Sequence, residues 1–250
     1  MTSNSCRLGI SLLPRRLRDR LNLHRTAVTR FVERTARDVS DGSRILDAGA
    51  GEARYRPLFG HTRYVALDDG RGDPRWDYTR LDVAGDLMRL PFGDGALDAV
   101  LCTETLEHLR DPGDFLVEVA RVLRPGGHLY LTAPQSFKEH QQPNDFFRYT
   151  RYGLRLLLER AGLEPTSVEP EGGYFRFIGD KIQPAHRYLF HKQRAFVWKV
   201  LFLVLHPFSM LFFTVLAPAL CALLDPLDRK RIHTTGYLVV AERRPAGGMG

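Results

Sequence analysis

Ile45-Leu46-Asp47-Ala48-Gly49-Ala50-Gly51-Glu52 is the stretch whose reading decides the fold. The segment from Arg44 to Ala48 is apolar and too short for a helix, so it reads as a buried strand that runs directly into a glycine turn. Glycine is needed there because a Cβ would keep the backbone from approaching a ligand closely. Position 54 holds Arg54 where a dinucleotide fingerprint wants a third glycine, which argues against a nicotinamide or flavin pyrophosphate.

Working outward, Arg63 to Leu67 reads as a second strand and is followed at once by Asp68. A carboxylate at the end of the second strand of a doubly wound sheet is placed to accept hydrogen bonds from ribose hydroxyls. Asp69 is its immediate competitor, and capping of the following turn is the alternative for both. Ala96 to Cys102, His128 to Thr132, the region of Val168 and Tyr237 to Ala241 read as further strands. Phe115 to Leu123 has helical spacing and stops at Arg124-Pro125-Gly126-Gly127; Thr150 to Ala161 is a second amphipathic helix with Gly162 as its stop. This alternation predicts an α/β fold with a mostly parallel sheet and helices on both faces.

The chain has 250 residues, 44% of them hydrophobic, enough for one sizeable α/β domain carrying an insertion. Its formal charge of +7 suits an anionic partner such as a membrane surface, although solubility alone also accounts for it. Cys6, Cys102 and Cys221 are far apart and outside any Cys-x-x-Cys spacing, so neither a disulfide framework nor a zinc site is read, and a reducing cytoplasm fits. Leu8 to Leu13 is too short for a signal-peptide core, so no export is expected. From Pro14 to Val39, Leu17, Leu21, Val28, Phe31, Val32 and Val39 share one face of a helix while Arg15, Arg16, Arg18, Arg20, Arg30, Arg34 and Arg37 lie mostly elsewhere. Those arginines are not interleaved with aromatics and no base-flipping motif is present, so nucleic acid is not expected as a partner.

Four linked segments carry a specific resemblance: Asp86-Leu87-Met88-Arg89-Leu90-Pro91-Phe92, Ala96-Leu97-Asp98-Ala99-Val100, Leu106-Glu107-His108 and Val122-Leu123-Arg124-Pro125-Gly126-Gly127. In order and spacing the chain resembles the class I S-adenosylmethionine-dependent methyltransferases, particularly the branch with the ubiquinone and menaquinone methyltransferases. The resemblance covers roughly residues 40 to 165, with the last strand near 237 to 243. It implies a Rossmann-like, doubly wound sheet of seven strands, the last one antiparallel, and S-adenosyl-L-methionine as cofactor. It places Asp47, Ala48, Gly49 and Gly51 beside the methionine part, Asp68 or Asp69 on the ribose, and Asp86 with Leu87 around the adenine. Thr103 and Glu104 then flank the reactive end, Thr103 on the cofactor and Glu104 towards the substrate. The departure is Ala53, where many members have glycine.

Methyl transfer is an in-line displacement, so a base is needed only when the nucleophile arrives protonated. His108 is one candidate, with a packing role as the alternative. A second cluster, His140, Asp145, Arg148 and Tyr149, falls in Glu139-His140-Gln141-Gln142-Pro143-Asn144-Asp145-Phe146-Phe147-Arg148-Tyr149, on what should be a loop at the site's edge. His140, Asp145 and Tyr149 are read as acid-base candidates and Arg148 as a substrate contact, against an Asp145 cap and an Arg148 ion pair. No metal is expected, because His140 and Asp145 lack a third ligand.

Phe196 to Leu224 contains one charged residue, Lys199, and is long enough to cross a bilayer. The strands before and after it must return to one sheet, so the segment must leave and come back, and Pro207 and Pro218 are expected to break it into pieces too short to span. Arg187, Lys192, Arg194 and Lys199 precede it and Arg229, Lys230 and Arg231 follow, which predicts a monotopic or re-entrant hairpin at the cytoplasmic face of the cell membrane. A homodimer interface and a lid over a greasy pocket are its rivals. The expected organisation is an N-terminal amphipathic helix over 1–41, a cofactor-binding domain over 42–170 with 235–244, and an apolar helical insertion over 171–234. The expected function is methylation, at oxygen by preference, of a lipophilic or lipid-linked small molecule; the alternative is a non-catalytic cofactor-binding or membrane scaffold protein.

Overall fold

The computed structural model describes residues 23–185, 188 and 205–244. The expectations for Cys6, for residues 8–22 including Arg15, Arg16, Leu17, Arg18, Arg20 and Leu21, and for 196–204 with Arg187, Lys192, Arg194 and Lys199 lie outside them.

Seven strands form one sheet: β1 (Arg44–Ala48), β2 (Arg63–Asp68), β3 (Val83–Ala84), β4 (Leu97–Thr103), β5 (Leu123–Pro134), β6 (Leu163–Pro170) and β7 (Gly236–Arg243). Their order is β3-β2-β1-β4-β5-β7-β6. Pairing is parallel from β3 through β5, while β7 runs antiparallel to both of its neighbours, β5 and β6. Strand order reverses at β1 and β4, which puts the carboxyl ends of those strands at the topological switch point where ligands bind in such sheets.

Ile45, Leu46, Val100 and Leu101 have no exposed surface, as expected for central parallel strands covered on both faces. On one face α1 (Leu23–Asp38) presents Val28, Phe31, Val32 and Ala36, with Val39 just beyond it, to Ile45, Leu101 and Leu238, and its Arg30, Arg34 and Arg37 face solvent. On the other, α2 (Pro112–Val122) and α3 (Arg151–Arg160) bury Phe115, Leu116, Val119, Leu154 and Leu158. Thr150 caps α3 by accepting from the Gly153 N–H at 3.1 Å, and Gly162 ends it at φ +78°.

The chain divides into two compact units, one holding 28–170 with β7 and the other built mainly from 171–235. In the second, α4 (Tyr174–Ile182) begins where Asp225 and Asp228 accept its first backbone N–H groups: Gly173 to Asp225 Oδ1 at 3.0 Å, Tyr174 to Asp228 Oδ2 at 2.8 Å and Arg176 to Asp225 Oδ1 at 2.8 Å. Gly179 lets α4 meet the apolar helix closely: a Cβ there would lie 3.0 Å from the Cys221 Cβ and 3.5 Å from the Pro218 Cα.

That apolar helix, α5 (Leu205–Leu227), runs for 23 residues and continues through Pro218, which corrects the expectation of a break there; Pro207 lies in its first described turn. Phe212–Leu216, immediately before Ala217-Pro218, is a π-helical turn. Wider i to i+5 bonding moves the carbonyls that the proline ring would strike in a regular helix, so the helix continues past a residue that has no N–H to give. Phe208, Phe212, Leu216, Leu220, Leu223 and Leu227 recur at three- and four-residue spacing and all are exposed.

Candidate active site

The glycine turn is built as a close-approach site. The backbone N–H groups of Gly49 and Ala50 both donate to the Leu67 carbonyl, at 2.9 and 3.0 Å, which folds the turn over the end of β2. Gly49 sits at φ +78°, and a Cβ on it would fall 2.4 Å from the Thr105 side chain; Gly51 sits at φ +54° with the Trp76 ring 3.1 Å from where its Cβ would be. Asp47 is buried, its Oδ2 accepts the Tyr64 hydroxyl proton, and its Oδ1 has no hydrogen-bond partner among the described residues. Burial raises its carboxyl to about 6, against the opposing pull of Tyr64 and Arg54. Ala48 is fully buried at the end of β1. Asp68 accepts the Gly51 N–H at 2.9 Å through one oxygen and the Gly70 N–H at 2.8 Å through the other, which leaves each oxygen a free lone pair.

The remaining cofactor candidates differ in setting. Asp69 is exposed and accepts the Arg71 N–H at 2.9 Å, a local turn. Asp86 is exposed and accepts the Met88 N–H at 2.9 Å, which holds the bend that carries buried Leu87. Thr103 ends β4 in the core; next to it Glu104 takes φ +51°, and its Oε1 accepts the Thr132 hydroxyl proton at 2.9 Å.

Beside this edge the loop after β5 folds onto the Leu106-Glu107-His108 turn. The Glu107 carbonyl accepts the Phe146 N–H at 2.9 Å and the Phe147 N–H at 3.3 Å. Asp145 is the loop's organiser. Its two oxygens take Arg148 Nη1 at 2.6 Å and Nη2 at 2.8 Å, and Oδ2 also accepts the His140 backbone N–H at 2.9 Å. The Arg148 guanidinium holds the Asp145 carboxyl well below the usual carboxylate range. His140 thereby comes to lie with its Nε2 3.1 Å from His108 Nε2. Burial lowers the basicity of His108 and pushes the Glu107 carboxyl beneath the pair well up.

Two sequence candidates are corrected by this geometry. Arg148 was read as a substrate contact, yet all five of its N–H groups are engaged: Nε with the Phe137 carbonyl, Nη1 with Asp145 and the Phe147 carbonyl, Nη2 with Asp145 and the Lys138 carbonyl. It staples the loop. Tyr149 was read as an acid-base group, but it is buried, its hydroxyl donates to the Leu106 carbonyl at 2.9 Å, and burial raises it far above neutrality. The structure brings together His108 and His140 with Glu107, which the sequence presents only as the middle of Leu106-Glu107-His108. Trp76, covering Gly51, carried no sequence signal beyond its being one of two tryptophans.

Residues 46–131 match the methyltransferase domain family. A Mycolicibacterium smegmatis protein named as a probable S-adenosylmethionine-dependent methyltransferase is 33% identical over 168 residues, 62% of this chain and 62% of its own length. A fatty-acid O-methyltransferase of the same organism is 34% identical over 121 residues, 44% of each chain. The chain thus spans less than two thirds of the curated relatives it matches. Among solved structures, Burkholderia thailandensis 1,6-didemethyltoxoflavin-N1-methyltransferase with bound S-adenosylhomocysteine superposes with a TM-score of 0.52 at 17% identity, covering 88% of this chain and 79% of that one, which is a likeness of fold. Sheet order, glycine turn and the family match over residues 46–131 together support a class I S-adenosylmethionine-dependent methyltransferase domain.

Proposed function

We propose that this protein transfers a methyl group from S-adenosylmethionine to a hydroxyl of a lipophilic or lipid-linked small molecule at the cytoplasmic face of a membrane. The observation that carries the reading is the buried Asp47 oxygen without a partner, set beside a glycine turn at the sheet's switch point. A buried anionic oxygen of this kind suits the positively charged methionine end of the cofactor. Asp68 has the lone pairs for the ribose hydroxyls, and Asp86 with Leu87 is the pair for the adenine.

When bound, the cofactor supplies an electrophilic methyl on a sulfonium. What the chain must add is alignment and removal of the acceptor's proton. Transfer to oxygen would leave the cofactor as a neutral thioether that keeps the C–S electron pair, so the chain must pass the hydroxyl proton to the polar cluster and then to solvent. Glu104, His108 and His140 are the groups for this, with Asp145 and Arg148 as the positioning residues that hold His140. Exposed Phe146 and Phe147 on the same loop offer apolar surface to a greasy acceptor.

Membrane contact is supported by the exposed apolar row of α5 and by exposed Arg229, Lys230 and Arg231 just beyond it, a combination that suits an anionic lipid surface. The similarity to a fatty-acid O-methyltransferase favours oxygen as the methylated atom. The test is incubation with isotopically labelled S-adenosylmethionine and a membrane lipid extract, followed by mass spectrometry. Label on a lipid-phase hydroxyl is the expected result. Label confined to water-soluble acceptors would remove the lipophilic substrate, and cofactor binding without turnover on any extract would favour a scaffold.

A further inference from the structure

Three acceptor atoms converge here: Glu107 Oε1 and the Nε2 atoms of His108 and His140. His108 Nδ1 lies 2.5 Å from the Asn144 carbonyl, which can only accept, so Nδ1 carries the proton and Nε2 the lone pair. The Gln141 side-chain amide, 3.3 Å away, donates to that same Nε2. His140 Nδ1 faces the Lys138 carbonyl at 3.2 Å and Asp145 Oδ2 at 3.3 Å, so its Nε2 is a lone pair too. The two Nε2 atoms are 3.1 Å apart, and Glu107 Oε1 is 3.7 Å from one and 3.8 Å from the other. Glu107 has no exposed surface, and neither of its carboxylate oxygens has a hydrogen-bond partner among the described residues. An isolated buried carboxylate is strongly disfavoured unless a cation or a proton compensates it.

We propose that Glu107, His108 and His140 form a binding site for one divalent first-row transition ion of the zinc type. A tetrahedral ion with bonds of about 2.1 Å sets its ligand atoms roughly 3.4 Å apart, and the three separations of 3.1, 3.7 and 3.8 Å bracket that spacing. Each histidine gives its other ring N–H to a carbonyl or carboxylate, the outer arrangement that orients metal-ligating imidazoles. Three protein ligands leave a fourth position open, as catalytic zinc sites do. An acceptor hydroxyl in that position loses its proton more easily, so the ion would complete the proton removal proposed above. That role rests on the methyl-transfer reading; the binding site does not. The rival occupant is a single proton shared by the two imidazoles.

The test uses the tag-free 250-residue chain, stripped with chelator and dialysed against Zn2+, with bound metal counted by mass spectrometry. About one equivalent per chain is expected, and with Co2+ the intense visible absorption of a four-coordinate ion. His140→Gln, on a partly exposed loop side chain, and the isosteric Glu107→Gln should each weaken retention by at least about 10-fold, the least that loss of even an outer partner of a metal ligand costs, while far-ultraviolet circular dichroism confirms that they fold. Mg2+ should not compete, since it prefers octahedral oxygen ligands. No retained metal in the unmodified chain, or equal retention in both folded variants, overturns the proposal and leaves the shared proton. Calorimetry with S-adenosylhomocysteine on the stripped protein separates the two ideas: cofactor binding without metal binding sinks only the metal site, and metal binding without cofactor binding sinks only the methyl-transfer reading.

Discussion

Asp68, the last residue of β2, accepts the backbone N–H of Gly51 at 2.9 Å, so the carboxylate that closes one strand also fixes the turn that follows another. Asn at position 68 keeps one acceptor and loses the charge. Asp68→Asn should cost about 1–2 kcal/mol of stability and weaken cofactor binding at least about tenfold, read by denaturant melts and calorimetry. A folded variant with an unchanged Kd would remove Asp68 from the cofactor site.

Gly49→Ala places a Cβ 2.4 Å from the Thr105 side chain at a φ of +78°. Strain and clash together should lower the Tm and abolish measurable S-adenosylhomocysteine binding. Gly42, also at positive φ but with nothing near its Cβ position, is the control: Gly42→Ala should cost about 1–2 kcal/mol and leave the Kd unchanged.

Burial raises the Asp47 carboxyl from 3.8 to about 6. Between these values the folded chain holds a proton that the unfolded chain has released. This group therefore adds stability as pH falls through that window and withdraws it as pH rises. Cofactor affinity should run the other way and weaken below pH about 6, because protonated Asp47 no longer favours a cationic ligand. Asp47→Asn should flatten the pH dependence of urea midpoints and bind the cofactor poorly at every pH. A midpoint profile identical to that of the unmodified chain would contradict this account.

Two tryptophans are present, and Trp76 lies against Gly51. With Trp198→Phe, the remaining emission should change on titration with S-adenosylhomocysteine. Silence in that titration, with binding proved by calorimetry, would mean that Trp76 does not sense the cofactor.

Arg148→Lys exchanges a fork for a point charge and cannot restore five bonds. The Asp145 carboxylate it leaves is largely shielded from solvent. A loss of about 2–3 kcal/mol and faster proteolysis within 137–148 are expected, with activity falling through His140 misplacement. Unaltered proteolysis would show that the loop holds without its staple.

What the sequence made legible follows from how local each signal is. The strand from Arg44 to Ala48 and its glycine turn declare themselves by hydropathy and by a backbone requirement that only a few residues meet. Glu107 was hidden because its role depends on His140, which the chain delivers from a different loop, and no spacing rule links the two. Arg148 and Tyr149 looked chemical because polar side chains on a loop resemble a site; only the partners show that their hydrogen-bonding capacity is already used. Pro218 was read as a break because the compensating π turn leaves no mark in composition.

The position of β7 between β5 and β6 has a consequence for biogenesis. Among the described residues β6 pairs with β7 alone, and β5 has β7 as its second neighbour. Until residues 236–243 have been synthesised, a nascent chain therefore carries one bare β5 edge and an unpaired sixth segment, with the apolar helix already made. Such an edge invites pairing with other chains. Pairing of β5 and β6 into one sheet accordingly waits on β7, and chains that stop before residue 236 are expected to aggregate.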